Sequence, residues 1–329
     1  MADLPITPLG SGPGAGLRAC VERQKVYFAS GGVTCAAWHY PGTNGGCVIM
    51  APGFAVTKEP GTDPFAGRFH EAGFTVLAFD YRRFGESGGQ PRQIVRIGEQ
   101  QADLQAAIDF ARTLAGVDPY KLAIWGFSLS GGHLFAVASR NPDLAAAIAV
   151  SANADGQAAA RNAMRHQAPL ALVRLTGRGL LDALGGLFNR QPLLVPLAGT
   201  RGTVAVFAAP DALNGDHALN PDNRYPDWQQ EVAARSALRV SFYRPGRLAS
   251  RVGCPLLVLA YDQDDAALAG PAIRAGTRAP SGEVVRLPGG HYEPYMNGHE
   301  RAVEIQLSFL RRHLLDGTHA STAQAPAAG

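Results

Sequence analysis

Short apolar runs alternate with stretches of helical periodicity across most of this chain, and that alternation restricts its fold more than any other feature. A strand with parallel neighbours is covered on both faces, so it reads as an unbroken apolar run, and a helix must carry the chain back before the next strand. Residues 46–51, 74–79, 121–125, 145–150, 255–260 and 283–287 fit such strands. Helical spacing predicts helices over about 98–114, from just past Ser128 to about 140, and over about 300–315. Residues 21–28 and 34–39 are expected to open the domain as an antiparallel pair. The expected class is therefore α/β, a mostly parallel central sheet with helices on both faces.

The alternation stops near residue 154 and resumes near 252. Residues 155–251 hold apolar helical fragments broken by prolines and polar residues, and read as an insertion between two parts of one core, 18–154 and 252–316. Glycine, proline, alanine and threonine dominate 1–17 and 317–329, which are expected to be disordered tails.

Composition narrows the function classes. With 46% hydrophobic and 17% charged residues the chain can build a core, and a net charge of +3 with no run of like charge argues against nucleic acid as a partner. No membrane span is expected, because the most apolar region, 170–209, is interrupted by Arg174, Arg178, Gly185, Arg190 and Pro196. Cys20, Cys35, Cys47 and Cys254 lack metal-type spacing and are expected to be buried free thiols. The first sixteen residues lack the basic start and apolar core of a secretion signal, so a cytoplasmic location is expected.

The chemistry concentrates where a strand turns directly into a helix. Gly126-Phe127-Ser128-Leu129-Ser130-Gly131 follows the apolar run 121–125 and precedes a small-residue helical stretch. Such a turn lifts a serine Oγ clear of the sheet and aims the free N–H groups of the helix at developing negative charge. Glycines flank the serine because the backbone there is strained and neighbouring elements pass close. Ser130 stands where the commonest pattern has a second glycine, and is small enough to be tolerated.

A serine nucleophile needs a histidine to take its proton and an acid to orient that histidine. His291 follows Gly289-Gly290 just past the strand 283–287, on the edge of the sheet where active sites of open α/β folds gather. His299 is the weaker substitute, and His133, five residues past Ser128, is expected to point elsewhere. For the acid, the strand 256–260 runs into Tyr261-Asp262-Gln263-Asp264-Asp265. Asp264 is the choice and Asp265 the first fallback, while Asp262 is expected to cap the turn.

With the order serine, aspartate, histidine along the chain, these residues resemble the α/β-hydrolase superfamily, and the likeness runs over about 21–315. Two further segments agree with it. Met50-Ala51-Pro52-Gly53-Phe54 is similar to the loop that supplies the first oxyanion donor, and Asp80-Tyr81-Arg82-Arg83-Phe84-Gly85-Glu86-Ser87 is similar to a turn common in the superfamily. The resemblance implies catalytic Ser128, Asp264 and His291 and an oxyanion site made by the backbone N–H groups of Phe54 and Leu129. It implies a serine esterase or thioesterase that needs no metal or organic cofactor and whose partner is a small-molecule substrate; the alternatives are amide, carbon–carbon or peracid-forming chemistry on the same triad, or a non-catalytic ligand-binding or biosynthetic accessory protein of the same fold. Ala51-Pro52-Gly53 replaces the histidine-glycine sequence of many lipases, which speaks against a true lipase. The turn 80–87 is expected to be structural, and Glu293 and Tyr295 to pack rather than touch substrate.

By the same resemblance, 155–251 occupies the place of a lid. Leu170, Leu181, Leu184, Leu187, Phe188, Leu193, Leu194 and Phe207 would form an apolar pocket beneath it, with Trp228 and Tyr243 as further lining candidates. The alternative is that these side chains pack on the core or on a second subunit, which leaves a homodimer open.

Overall fold

The computed structural model describes residues 23–316; Cys20, the segments 1–17 and 317–329 expected to be tails, and residues 21 and 22 of the expected opening pair lie outside the described residues. The chain begins with β1 (Gln24–Ser30) and β2 (Val33–Tyr40), an antiparallel pair in the register Phe28 to Cys35. Then come β3 (Cys47–Ala51), α1 (Lys58–Glu71), β4 (Thr75–Phe79), α2 (Ile97–Ala111), β5 (Leu122–Phe127), α3 (Leu129–Ala138) and β6 (Ala146–Val150). After β6 the chain leaves the sheet for α4 (Gly156–His166), α5 (Pro169–Leu187), β7 (Leu194–Pro196), α6 (Gly215–Leu219), β8 (Glu231–Ala233) and α7 (Ala234–Ser241). It returns with β9 (Leu256–Tyr261), α8 (Ala269–Arg278), β10 (Gly282–Leu287) and α9 (His299–Leu310).

Among the described residues the main sheet has eight strands in the order β1-β2-β4-β3-β5-β6-β9-β10. Only the β1–β2 and β2–β4 pairs are antiparallel; every pair from β4 to β10 is parallel. All residues of β3, β4, β5, β6 and β9 are buried, which explains their unbroken apolar runs. Helices cover both faces and produce two cores. On one, α2 brings Leu104, Ala107 and Ile108 against Ile49, Leu77 and Ile124. On the other, α1 and α9 bring Phe65, Phe69 and Phe309 against Val48, Trp125 and Leu257. Trp125, the largest of these side chains, donates its Nε1 hydrogen to Gln306 Oε1 of α9 at 2.6 Å, which satisfies the one polar group its burial would otherwise strand.

Strand boundaries agree with expectation to within a few residues, but two helices carried no sequence signal. The sequence of α1, KEPGTDPFAGRFHE, contains two prolines and two glycines and has poor helical propensity. Tertiary packing overrides it: Phe65 stacks on Trp125 with ring centroids 5.4 Å apart, and Thr62 Oγ1 donates to the Lys58 carbonyl at 2.5 Å. In α8 the inward face is made of Ala272, Ala275 and Gly276, residues too small to mark an apolar stripe. Gly276 is required there, since a Cβ would meet Val284 Cγ2 at 2.6 Å.

The turn after β4 is held by buried charge. Asp80 Oδ1 accepts from the Lys58 amide at 2.8 Å and Oδ2 from the Glu86 amide at 3.0 Å. The Lys58 ammonium lies 2.8 Å from Asp80, 2.7 Å from Glu86 and 2.9 Å from Glu59, so all three of its hydrogens find carboxylates. Ser87 Oγ donates to the Asp80 carbonyl and accepts from the Ala36 amide, tying the turn to β2. These contacts make the turn a structural brace between α1 and the sheet. Because Lys58 and Asp80 are fully buried, Lys58→Ala leaves the Asp80 carboxyl buried without its partner and is expected to lower the unfolding free energy by about 3–5 kcal/mol. In urea titrations Lys25→Ala, which removes a partly exposed partner of Glu86, should lower it by less than about 1 kcal/mol.

Candidate active site

Five of the site's groups sit at the C-terminal ends of parallel strands. β5 ends at Phe127 and α3 begins at Leu129, so Ser128 alone makes the turn, and it does so at φ 56°, ψ −115°. An L-residue held at positive φ is strained and persists only where its surroundings fix it. Here they do: a Cβ on Gly126 would meet the Ser130 carbonyl carbon at 2.6 Å, so the strand and the first turn of α3 touch through backbone alone.

Ser130, in the place of the usual glycine, has a positive role. Its buried hydroxyl donates to the Pro52 carbonyl, and therefore accepts from the Tyr81 hydroxyl 2.8 Å away. One serine thus ties the start of α3 to the loop after β3 and to the turn after β4. In the sequence alone it reads only as a tolerated departure from the commonest pattern.

Ser128 Oγ lies 3.0 Å from His291 Nε2, and His291 Nδ1 lies 2.8 Å from Asp264 Oδ2. Asp264 Oδ1 accepts from the amides of Ala266 and Ala267 at 2.9 and 2.7 Å, which fixes the carboxylate plane. The histidine and the aspartate are both buried, and the imidazole packs against Phe127 with ring centroids 4.9 Å apart. Asp262, in contrast, does not cap the turn: it is half-exposed and bonds Arg286 Nε at 3.0 Å. Its amide donates to the Leu287 carbonyl, which puts it beside β10 within reach of that arginine. His299 bonds the Pro294 carbonyl at 3.0 Å and packs edge-on to Phe65. Buried His133 lies between Gln100 and Tyr243, and burial lowers its pKa to about 3.

One participant carried no sequence signal. Asp211, on the short 3-10 turn Pro210–Asn214, accepts a hydrogen bond from the His291 amide. An aspartate eighty residues away in the irregular segment has no spacing relation to His291, so only the fold could reveal it. Burial pulls the His291 pKa down, but the charge and hydrogen bond of Asp264, assisted by the charge of Asp211, outweigh it and leave the imidazole above the ordinary histidine value of 6.5. Burial raises the Asp211 carboxyl in turn, against the lowering by the His291 amide.

The amides of Phe54 and Leu129 have no acceptor among the described residues, and both residues line the cleft over Ser128. Leu129 is the first residue of α3, where an amide has no partner within the helix. The cleft opens on either side of an edge-to-face pair, Phe54 and Phe207, with centroids 5.6 Å apart. On one side is an apolar cavity of about 260 Å³ walled by residues such as Ala159, Ala163, Leu172, Leu175 and Val240. On the other is a cavity of about 350 Å³ that includes Trp228, Gln230 and Asp216. Of the apolar side chains expected to form a pocket, Phe207 does. Leu170, Leu181, Leu184, Leu187, Phe188 and Leu193 instead face solvent, because the inward arc of α5 is occupied by Ala171, Leu172, Leu175 and Gly179. Trp228 lines the second cavity, whereas Tyr243 is buried on His133 and Gln101. Tyr295 donates to the Gly61 carbonyl at 2.7 Å and packs edge-on to Phe127, and Glu293 packs on Gly289 and Gly298.

Comparison with known proteins agrees with this architecture. The family described as serine aminopeptidase, S33, matches residues 31–183. Quorum-quenching protein AidA of Acinetobacter baumannii (strain MDR-ZJ06) is 38% identical over 292 residues, 87% of this chain and 94% of that protein. Thiohydrolase aneE of Aspergillus aculeatus is 31% identical over 190 residues, 58% of this chain and 57% of that one. The crystal structure of the α/β hydrolase GrgF from Penicillium sp. sh18 superposes with a TM-score of 0.75 at 22% identity, covering 89% of this chain and 99% of that one. The eight-stranded sheet and these similarities together establish that the chain belongs to the α/β-hydrolase superfamily.

Proposed function

We propose that this hydrolase cleaves an ester or thioester of a small to medium, mainly apolar molecule through an acyl-enzyme. The observation that carries the reading is the continuous path of hydrogen bonds from Ser128 Oγ through both nitrogens of His291 to Asp264. An aspartate on Nδ1 selects the tautomer with the proton there, leaving Nε2 as an acceptor for the serine proton. Ser128 attacks the carbonyl as Nε2 takes its proton, and the amides of Phe54 and Leu129 receive the charge that gathers on the carbonyl oxygen. The imidazolium then protonates the leaving alcohol or thiol, which departs. Water enters, loses a proton to Nε2 and attacks the acyl carbon; the bond to Ser128 Oγ then breaks as Nε2 returns that proton to it, and the acid is released.

The apolar cavity beside Ser128 suits the acyl portion, and the more polar cavity beyond the Phe54–Phe207 pair suits the leaving group. The thiohydrolase name of one relative favours including thioesters. Three buried free thiols, Cys35, Cys47 and Cys254, fit work in the reducing cytoplasm. In Cys35 and Cys254 burial pushes the pKa up to about 12, so these thiols do not compete as nucleophiles.

Two outcomes test the reading. Ser128→Ala should keep the thermal unfolding midpoint near that of the parent while turnover of a p-nitrophenyl ester falls by at least about 10⁴-fold and fluorophosphonate labelling disappears. Undiminished turnover would sink the proposal. The second concerns pH. Since His291 must be neutral to act as base and its pKa is raised, the acid limb of kcat/KM should be centred above pH 6.5. Asp264→Asn removes the main raising influence, so the limb should move to lower pH while the plateau drops roughly 10³–10⁴-fold. A limb that stays in place in this variant would show that the titrating group is not His291.

A further inference from the structure

The outer face of α5 combines two features that a water-facing helix rarely has together. Leu170, Val173, Leu180, Leu184, Leu187 and Phe188 are 56 to 77% exposed. They recur at intervals of three, four and seven residues, which places them in one stripe along the helix. Arg174 and Arg178, four residues apart, follow one edge of that stripe, and Arg161 and Arg165 repeat the same spacing on the preceding helix α4, also exposed. Arg190 extends the basic surface past the end of α5, and exposed Arg201 lies in the loop that bonds Gln167 just before the start of α5. All of these arginines are exposed, and none has a side-chain partner among the described residues. The only carboxylate between Gly156 and Ala209 is Asp182, which is buried and already paired with Arg235 at 3.0 Å.

We propose that this face docks the protein on an anionic lipid bilayer, with the stripe in the headgroup–acyl boundary and the arginines on lipid phosphates. Charge decides between the bilayer and a second copy of the chain. Two copies joined through this stripe would bring two sets of arginines together around a dry interface with no acid to offset them. An anionic bilayer supplies both an apolar layer and negative charge, the combination that holds an amphipathic helix in the plane of a membrane surface. No helix among the described residues is long and apolar enough to cross the membrane, so the contact is peripheral. The opposite side of α5 contributes Leu172 and Leu175 to the apolar cavity. A docked protein therefore holds that cavity one helix thickness from the acyl layer, and a lipid-dissolved molecule has a short route to it.

The test is co-sedimentation of the full chain with vesicles of pure phosphatidylcholine and with vesicles containing about one-third phosphatidylglycerol. The protein should pellet with the anionic vesicles, much less with the neutral ones, and less again as salt is raised. Arg174→Glu with Arg178→Glu, and separately Leu180→Glu with Leu184→Glu, should each weaken binding by about tenfold or more. These positions are exposed and line neither cavity, so circular dichroism melts should match the parent and certify folded variants. No pelleting with either vesicle, equal pelleting with both, or undiminished pelleting of the leucine variant each overturns the proposal. Sedimentation velocity supplies a further outcome: a concentration-dependent dimer that the leucine substitutions abolish would assign the face to a second copy instead.

Discussion

One residue's backbone carries the constraint around which the rest is arranged. β5 ends and α3 begins with only Ser128 between them, and the chain can reverse so abruptly only by forcing that residue to positive φ. The strain is of order 1–3 kcal/mol and has to be held from several sides. Gly126 allows the strand to touch the first turn of the helix, the Ser128 amide donates to Val150 of β6, and the Ser128 carbonyl accepts from the Asn153 and Gly132 amides. A serine so fixed has its Oγ presented in one direction, and the histidine has to come to it.

The histidine comes on a loop that would otherwise be free to wander. His291 is gripped at its carbonyl by the Ser151 hydroxyl, at its amide by Asp211, at its ring by Asp264, and on its ring face by Phe127. These partners come from the ends of β5, β6 and β9 and from the segment between β6 and β9. The imidazole is therefore positioned by several parts of the chain at once, which is what a group must be if its nitrogen is to stay within 3.0 Å of an alcohol on a different strand.

How much of this was legible in the sequence follows from the range of each interaction. The buried parallel strands were readable because a strand covered on both faces must be apolar throughout, and the positions of Ser128, Asp264 and His291 were readable because each lies just past such a strand. α1 was not readable, since its prolines and glycines oppose helix and it is secured by long-range contacts, the packing of Phe65 and Phe69 and the bond of Lys58 to Asp80. The roles of Asp262 and Asp264 could not be separated by a strand-end argument: all of the clustered aspartates have the same local setting, and the choice is made by Arg286 on one side and by the amides of Ala266 and Ala267 on the other. Ser130 shows the same limit in reverse. Judged against a pattern it looks like a blemish, yet its hydroxyl joins the start of α3 to two loops that no local rule connects to it.

The segment between β6 and β9 shows where periodicity misleads. Counting leucines on α5 suggests that the helix turns them toward the cleft, but a helix packs by its whole surface. The arc that fits closely against α7 is the one with the smallest residues, where Gly179 lies so near Leu238 that a Cβ would meet its Cδ1 at 2.8 Å. Close approach of two helices selects small side chains and leaves the large ones on the opposite arc. The leucines are thus exposed as a consequence of how α5 is anchored, with Asp182 bonding Arg235 and the Leu193 amide beneath it. An apolar face this large is unfavourable in water unless something covers it. Its bordering arginines narrow what that cover can be, because each arginine brought to a dry contact requires an anion from the partner, and this part of the chain has none to spare.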